Sequence, residues 1–560
     1  MYRVITQILE ITIFTYPILA NNKSPVLDIN QFVKMCYNRI TMLARIKHPH
    51  YVVLSIILLF NAYLRLWGIT HLFYWLSDYD DGAYSLGGKL ISQGYLPYKD
   101  FVLVHPPLYD MALAAIYKVF GYNFFYGRYF SVTLSFACLI LVYLIVRKFY
   151  NPTAGLVAAL LFTIFPGFDL LWYRVVQEPL GIFLVLLALF FAADYIKSRE
   201  NRSHLLFSGL CLGLAVTTKY TFAPAVIGFA VGIWVLSTEW NRRNFKSNFS
   251  GLIKRDIWML IAGITAGFLL VTGFFIIKYP QAFFSQTISS QVAYRGGNNL
   301  DYIINQLRQL PTGIRDIFLL IKGSFENTIM MVCVLVGIAL LITLFFKRKR
   351  SNADIFLLVA ALICLPLCSL FNPFGEMKYF ASFYVFLLLA IVTFIPEMNL
   401  HTATNAGSVI VTVSMLVFLG GTIALRMNYN FLNSARMTYE EQSYKDTINY
   451  LESIGAKKVY TMSPIIIALA PNLNPTPLFF DTFGNLIIMK DSPTAFYQNV
   501  LDSGVDYAVI DQSALLSISP GSQSIGGVSM QIRAKGTEVQ SFVPNGVGIL
   551  GTSVFKVVRP

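Results

Sequence analysis

Three carboxylates stand within four residues, at Asp78, Asp80 and Asp81. Like charges this close repel one another, and the repulsion raises the pKa of at least one group unless a cation or a metal compensates. A carboxyl group with a raised pKa is a stronger general base. The structural alternative is a solvated acidic turn, in which Asp78 or Asp80 caps a helix that begins near Gly82.

Further ionisable residues stand beside apolar segments, where each also has a structural explanation. An acid at the first turn of a helix, next to a proline, suits the helix dipole, as Glu178 does before Pro179. Lysines at the ends of apolar helices commonly extend to the membrane interface. A histidine before two prolines is an ordinary loop residue. The candidates of this kind are His105, Arg174, Glu178, Lys219 and Lys378, with Arg128 as a weaker addition.

The composition places these residues in a membrane protein. Hydrophobic residues make up 56% of the 560 positions and charged residues 13%, whereas soluble domains carry about 25% charged residues. The mean hydropathy is +0.60. The net charge is +14. The chain has no basic, soluble segment with interleaved aromatic residues, which nucleic-acid binding would require. Five of the six cysteines lie in apolar runs, which excludes a disulfide framework and a zinc site.

Apolar runs long enough to cross a bilayer predict a polytopic α-helical protein with about eleven transmembrane helices. Lys and Arg concentrate in cytoplasmic loops, and five basic clusters fall on one side if the N-terminus is cytoplasmic. Loop 397–406 has no Lys or Arg and does not contribute to this agreement. The predicted spans are 51–69, 128–146, 153–171, 179–196, 204–218, 221–237, 256–277, 326–346, 354–371, 379–396 and 407–425.

This orientation predicts a multi-pass protein of the plasma membrane. Residues 1–50 form a cytoplasmic or interfacial segment, and loop 70–127 lies outside. Glu178, Lys219 and Lys378 fall on the same outer face as the three aspartates. The polar tail 430–560 predicts a small extracytoplasmic α/β domain, with helices at 439–454 and 493–503 and strands at 458–462 and 507–510.

The first outer loop resembles that of GT-C-fold glycosyltransferases. The motifs that carry the resemblance are Tyr79-Asp80-Asp81-Gly82-Ala83-Tyr84, Gly94-Tyr95-Leu96-Pro97-Tyr98-Lys99-Asp100 and His105-Pro106-Pro107-Leu108. They are most similar to the dolichyl-phosphate-mannose protein mannosyltransferase and aminoarabinose transferase families. These families have an acidic pair after the first span, usually Asp-Glu, and this chain has Asp80-Asp81 in its place.

The resemblance implies transfer of a sugar from a polyprenyl-phosphate donor to a protein, lipid or glycan acceptor in the cell envelope. Asp80 then takes the role of catalytic base, and the anomeric centre inverts in a single displacement. Asp78, Asp81 and Glu178 are supporting acids. His105, Lys219, Lys378 and Arg174 are candidates for binding the lipid phosphate. No metal is expected to be required, although Asp78, Asp80 and Asp81 have the oxygen ligands that divalent cations prefer.

Two alternatives remain open from the sequence. A transporter or lipid flippase would place charged groups near the bilayer midplane, whereas the charges here lie mostly near predicted helix ends. An oligosaccharyltransferase would share the broad fold, but the tail lacks the Trp-Trp-Asp stretch of that family. The fold class alone does not fix the acceptor.

Overall fold

The computed structural model describes most of the membrane part and much of the tail. The described residues are 49–71, 79–169, 171–237, 255–289, 350–370, 377–393, 434–470, 492–511, 522–542 and 551–557, with a few isolated positions such as 472–473. Outside them lie Asp78 and almost all of the predicted spans 326–346 and 407–425 and of segment 1–50.

Helices dominate the described residues between positions 49 and 393. Short helical turns at Tyr220–Phe222 and Met377–Phe380 lead into α9 and α13, and another at Ser285–Ser289 follows α11. In chain order the helices are α1 (Pro49–His71), α2 (Tyr79–Ser92), α3 (Leu108–Phe120), α4 (Phe124–Phe149), α5 (Pro152–Ile164), α6 (Pro166–Asp169), α7 (Glu178–Ser198), α8 (His204–Thr218), α9 (Ala223–Ser237), α10 (Arg255–Lys278), α11 (Pro280–Phe284), α12 (Asn352–Leu370) and α13 (Ala381–Ile391).

Nine of the predicted spans coincide with helices of the structure. Among the described residues, five helices are long and apolar enough to cross a membrane, namely α1, α4, α7, α10 and the continuous segment Tyr220–Ser237. Four shorter apolar helices correspond to α5, α8, α12 and α13. The membrane-helical fold class is therefore confirmed, while the total of eleven spans stays a prediction.

The third predicted span is interrupted, and the prediction of one helix over 153–171 was wrong. Helix α5 ends at Ile164, and Phe165 is extended, with φ −74° and ψ 117°. Pro166 follows it and begins the short helix α6. Proline disfavours the helical conformation in the residue before it and has no amide hydrogen to continue the helix. The break sends the chain into the 166–177 segment, which carries Arg174.

Glycines bring α8 and α10 into backbone contact. A methyl group on Gly213 would lie 2.8 Å from the amide nitrogen of Phe268, and one on Gly263 would lie 2.8 Å from that of Leu210. Gly209 and Gly267 pack equally closely against the opposite helix. Small residues allow helices in a membrane to approach this closely and to gain dispersion energy over their length.

The tail contains the predicted α/β elements. Helix α14 (Ser434–Ser453) precedes β1 (Val459–Thr461) and α15 (Pro464–Leu469). The remaining elements are α16 (Pro493–Asp502), β2 (Tyr507–Asp511), α17 (Ser522–Lys535), β3 (Gly536–Phe542) and β4 (Thr552–Val557). The strand order in the sheet is β1-β2-β4-β3, with β1 and β2 parallel and the other pairs antiparallel. The limits of a separate extracytoplasmic domain remain a prediction.

Candidate active site

Helix α2 carries the acidic pair in its first turn. It begins at Tyr79, so Asp80 and Asp81 lie where the backbone amides have no helical partner and the helix dipole favours negative charge. Successive residues of an α-helix point about 100° apart. The two carboxylates consequently contact different partners.

Asp80 is paired with Lys378. Nζ of Lys378 donates a hydrogen bond to Oδ2 of Asp80 at 2.8 Å, and 32% of the Asp80 side chain and 14% of the Lys378 side chain are exposed. Burial opposes ionisation of Asp80, but the positive charges of Lys378, Lys219 and Arg174 outweigh it and hold the pKa of Asp80 well below its usual range. The expectation that neighbouring acids raise this pKa was wrong, because the cations compensate.

Asp81 is buried and holds the 166–177 segment in place. Its Oδ2 accepts a hydrogen bond from Nε of Arg174 at 2.9 Å, and its Oδ1 accepts one from the amide of Val175 at 2.7 Å. A guanidinium nitrogen of Arg128 lies 3.7 Å from Oδ1. These contacts make Asp81 a structural acid that links α2 to α4 and to the turn before α7.

Glu178 and Lys219 form a second pair beside the first. Glu178 begins α7 and Lys219 follows the last residue of α8, and Nζ of Lys219 donates to Oε1 of Glu178 at 2.7 Å. Both side chains are almost fully buried. Both lysine ammonium groups approach the ring of Tyr379, at 5.2 Å for Lys219 and 5.8 Å for Lys378. The electron-rich face of a tyrosine ring attracts nearby cations electrostatically.

The site is assembled by helix ends. The start of α2, the start of α7, the end of α8 and the turn before α13 each contribute one member of the two ion pairs. The opposite end of α7 carries a different set of contacts, in which Lys148 pairs with Asp194 at 2.7 Å. Charged groups thus occupy both ends of α7 and leave its apolar middle to pack in the core.

His105 lies near α2 through an aromatic contact. Its ring centroid is 5.9 Å from that of Tyr84, which is one helical turn after Asp80. Its backbone oxygen accepts a hydrogen bond from the Tyr98 hydroxyl at 2.7 Å. A role of His105 at the lipid phosphate stays a prediction.

Two residues at the site were not predicted from the sequence. Tyr379 is a partner of both lysines, and its position directly after Lys378 was the available signal. Gln177 precedes Glu178 and is fully buried. Within the described part of the chain, neither polar atom of the Gln177 amide has a hydrogen-bond partner. Buried amides are usually paired, but nothing in the sequence distinguishes Gln177.

Metal binding by the acids stays untested. In the ranges that the structure describes, no group of three or more His, Cys, Asp and Glu side chains is arranged to hold a metal ion. Asp78, the third member of the predicted oxygen cluster, lies outside those ranges. The expectation of a metal-independent site therefore remains a prediction.

Part of the chain matches a known protein family. Residues 104–262 match the family described as dolichyl-phosphate-mannose-protein mannosyltransferase. The matched segment contains His105, Arg174, Glu178 and Lys219 but ends far before Lys378, and it covers less than half of the chain. No curated protein matches the chain by sequence.

Solved structures extend the resemblance to the fold. The chain is similar to ArnT from Cupriavidus metallidurans bound to undecaprenyl phosphate, with 12% identity and a TM-score of 0.54 over 92% of this chain and 99% of that one. It is also similar to the Archaeoglobus fulgidus oligosaccharyltransferase, with 15% identity and a TM-score of 0.49 over 92% of this chain and 74% of that one.

A third similar structure is the S. cerevisiae protein O-mannosyltransferase Pmt1-Pmt2 complex bound to the sugar donor. Its identity is 19% and its TM-score 0.34, over 43% of this chain and 35% of that one. The family match and the ArnT fold confirm the resemblance to GT-C-fold mannosyltransferases and aminoarabinose transferases.

Proposed function

We propose that this protein transfers a sugar from a polyprenyl phosphate, dolichyl or undecaprenyl, to a hydroxyl of a protein, lipid or glycan at the outer membrane face. The observation that supports this most is the Asp80–Lys378 pair, which places a carboxylate beside a cation at the start of α2. The pair lies next to Lys219, whose charge also acts on Asp80. A phosphate leaving group and an attacking hydroxyl need these two kinds of group.

The proposed reaction is one displacement at the anomeric carbon. The acceptor oxygen forms a bond to that carbon and gives its proton to Asp80. The bond from the anomeric carbon to the phosphate oxygen breaks, and the electron pair leaves with the polyprenyl phosphate. Lys378 and Lys219 stabilise the charge that develops on the phosphate. Attack from the face opposite the phosphate inverts the configuration, and no metal takes part.

Lys378 has two anionic partners in this scheme. Paired with Lys378, Asp80 has a low pKa and is a weak base. A donor phosphate beside Lys378 would compete for the ammonium group and draw it away from Asp80. The proton affinity of Asp80 then rises in the complex, when a base is needed. The same lysine therefore keeps the base ionised at rest and supports the leaving group during transfer.

The test uses the purified protein in liposomes with a panel of polyprenyl-phosphate sugars and EDTA. Release of free polyprenyl phosphate and the anomeric configuration of the product are measured. Asp80→Asn should lose transfer by about 10²–10⁴-fold, the range for a general base. Asp194→Asn is the matched control, because Asp194 also pairs with a lysine, but at the other end of α7. Full transfer by Asp80→Asn excludes this base.

A transporter or flippase remains the alternative, and one observation bears on it. Arg65 in α1 and Asp169 in α6 form a fully buried ion pair. Arg65 also donates to the carbonyl of Thr163 at 2.8 Å and to Asn61 at 3.3 Å. This network joins α1 to the α5–α6 break, and a packed, hydrogen-bonded pair of this kind suits a structural role. Translocation of labelled polyprenyl phosphate across protein-containing liposomes, without sugar transfer, would favour the alternative.

A further inference from the structure

The tail touches α2 at the glycine that follows the acidic pair. A methyl group on Gly82 would lie 2.6 Å from the carbonyl carbon of Pro464 and 2.7 Å from Cα of Ile465. Both atoms belong to the backbone at the start of α15, so no side-chain rotation relieves the contact. Only a glycine at position 82 therefore lets α15 lie this close to the first turn of α2.

Two polar contacts fix the other end of the same tail segment. Nζ of Lys89 donates to the carbonyl oxygen of Leu473 at 2.9 Å, and the Tyr122 hydroxyl donates to that of Ala468 at 2.8 Å. The Lys89 ammonium also lies 4.6 Å from the centroid of the Tyr122 ring. Lys89 is only 3% exposed. A buried ammonium that gives its hydrogen bond to a tail carbonyl ties the two segments together.

The contacts lie along one face of α2. Gly82, Ser85 and Lys89 have the spacing i, i+3 and i+7 of a single helix face. Ser85 lies 3.0 Å from the Tyr117 hydroxyl and 3.1 Å from the Tyr122 hydroxyl. This face is therefore held by the tail at both ends and by hydroxyl groups at its middle. Asp80 extends from the first turn of the same helix.

We propose that tail residues 464–470 and 472–473 position α2, with Gly82 and Lys89 as positioning residues that set where the Asp80 carboxylate lies. The proposal rests on the proposed function, because it gives this part of the tail the role of placing the catalytic base. Such a role differs from acceptor binding, because a tail that only bound the acceptor would not need backbone contact with α2. A displacement of about 1 Å at a reacting group can lower a rate by about 10²-fold.

The first experiment measures hydrogen exchange of the α2 amides by mass spectrometry, which needs no enzymatic activity. The full-length protein is compared with Gly82→Ala and Lys89→Met. Gly273→Ala in α10 is the control, because its methyl group would have one neighbour among the described residues, at 3.9 Å. We expect exchange across Tyr79–Ser92 to be at least tenfold faster in both variants than in the parent. In the control, the exchange rate should equal that of the parent. Unchanged exchange in this helix overturns the proposal.

The second experiment measures transfer and polyprenyl phosphate binding by the same variants. We expect kcat to fall by about 10–100-fold, with KM for the donor and the binding stoichiometry within twofold of the parent. Lys89→Arg, which keeps a donor, should recover part of the rate. A fall that tracks a loss of binding stoichiometry would show misfolding and overturn the positioning role. Faster exchange in a protein that transfers no sugar would instead refute the proposed function alone.

Discussion

Nζ of Lys378 lies 2.8 Å from Oδ2 of Asp80, although 298 positions of sequence separate the two residues. The acid comes from the first described helix after α1, and the cation comes from the turn before α13. The pair thus joins distant parts of the membrane domain at the point where the proposed reaction takes place.

Removal of Lys378 should lower the rate and move its pH dependence. Lys378→Met is expected to reduce kcat by about 10²–10³-fold, as for other groups that stabilise transition-state charge. The positive charges now hold the pKa of Asp80 below its usual range against the effect of burial. Without Lys378 that pKa rises, so the base is protonated at higher pH and the acid limb of kcat/KM shifts upward.

The measurement is the residual kcat/KM from pH 4.5 to 8, normalised to its plateau in each variant. Lys148→Met is the control, because Lys148 forms the Asp194 pair at the other end of α7. The parent and the control should show no acid limb that belongs to Asp80 in this range. An acid limb at the same pH in Lys378→Met and in the parent would contradict the assignment.

Asp81 should matter for stability more than Asp80. Asp81→Asn leaves the Arg174 and Arg128 guanidinium groups without their buried anion, and breaking a buried ion pair costs about 3–5 kcal/mol. The free energy of unfolding in detergent, from denaturant titration, provides the measurement. Asp80→Asn is the comparison, because its pair is more exposed. Equal losses of stability in the two variants would refute the structural role of Asp81.

The contact between α8 and α10 should be sensitive to one methyl group. Gly213→Ala and Gly263→Ala place a carbon against the backbone of the opposite helix, and overpacking of this kind costs about 1–3 kcal/mol. Thermal unfolding followed by circular dichroism gives the change in Tm. Gly273→Ala, on the same α10, places its methyl group 3.9 Å from its one neighbour among the described residues. It should leave Tm within about 0.3 °C, since about 1 kcal/mol shifts the Tm of a chain this long by about 1 °C. A Tm unchanged in all three variants would argue against the close approach.

Lys89 should make stability depend on alkaline pH. Burial lowers the pKa of Lys89 to about 8 in the folded protein, whereas an unfolded lysine has a pKa near 10.4. Between these values the unfolded chain binds more protons, so stability rises with pH through this window. From pH 8 to 10, the Tm of the parent should therefore rise relative to that of Lys89→Met.

The comparison is made in one detergent at pH 7, 8, 9 and 10. Lys99→Met is the control, since Lys99 lies between α2 and α3 and its side chain is 51% exposed. Its Tm difference from the parent should stay constant across the series. A constant difference for Lys89→Met as well would show that Lys89 does not titrate in this range.

The sequence was sufficient for the membrane helices because lipid leaves the backbone few choices. Long apolar segments must satisfy their own hydrogen bonds, so helices such as α1, α7 and α10 could be predicted within a few residues. The helix ends at Glu178 and Lys219 followed from the same boundaries. The break at Pro166 was visible in the sequence but was overlooked, because the apolar run continues past the proline.

The partners of each charged residue could not be predicted from the sequence. Asp80 and Asp81 are adjacent and chemically identical, yet one meets Lys378 and the other meets Arg174 and the Val175 amide. Only the direction of each side chain from α2 separates them. The direction of the Asp80 pKa shift was wrong for the same reason, since it depends on cations that come from α8 and α13. Strands β3 and β4 lacked a clear alternation and were not predicted.

The backbone contact between Gly82 and Ile465 has a consequence for biosynthesis. The helix that carries Asp80 is made early, while its cover emerges from the ribosome nearly four hundred residues later. A nascent chain can therefore insert its first membrane helices long before the tail contacts α2. We expect a chain that ends before residue 464 to insert into the membrane without the contacts from Ile465 and Leu473 that hold α2.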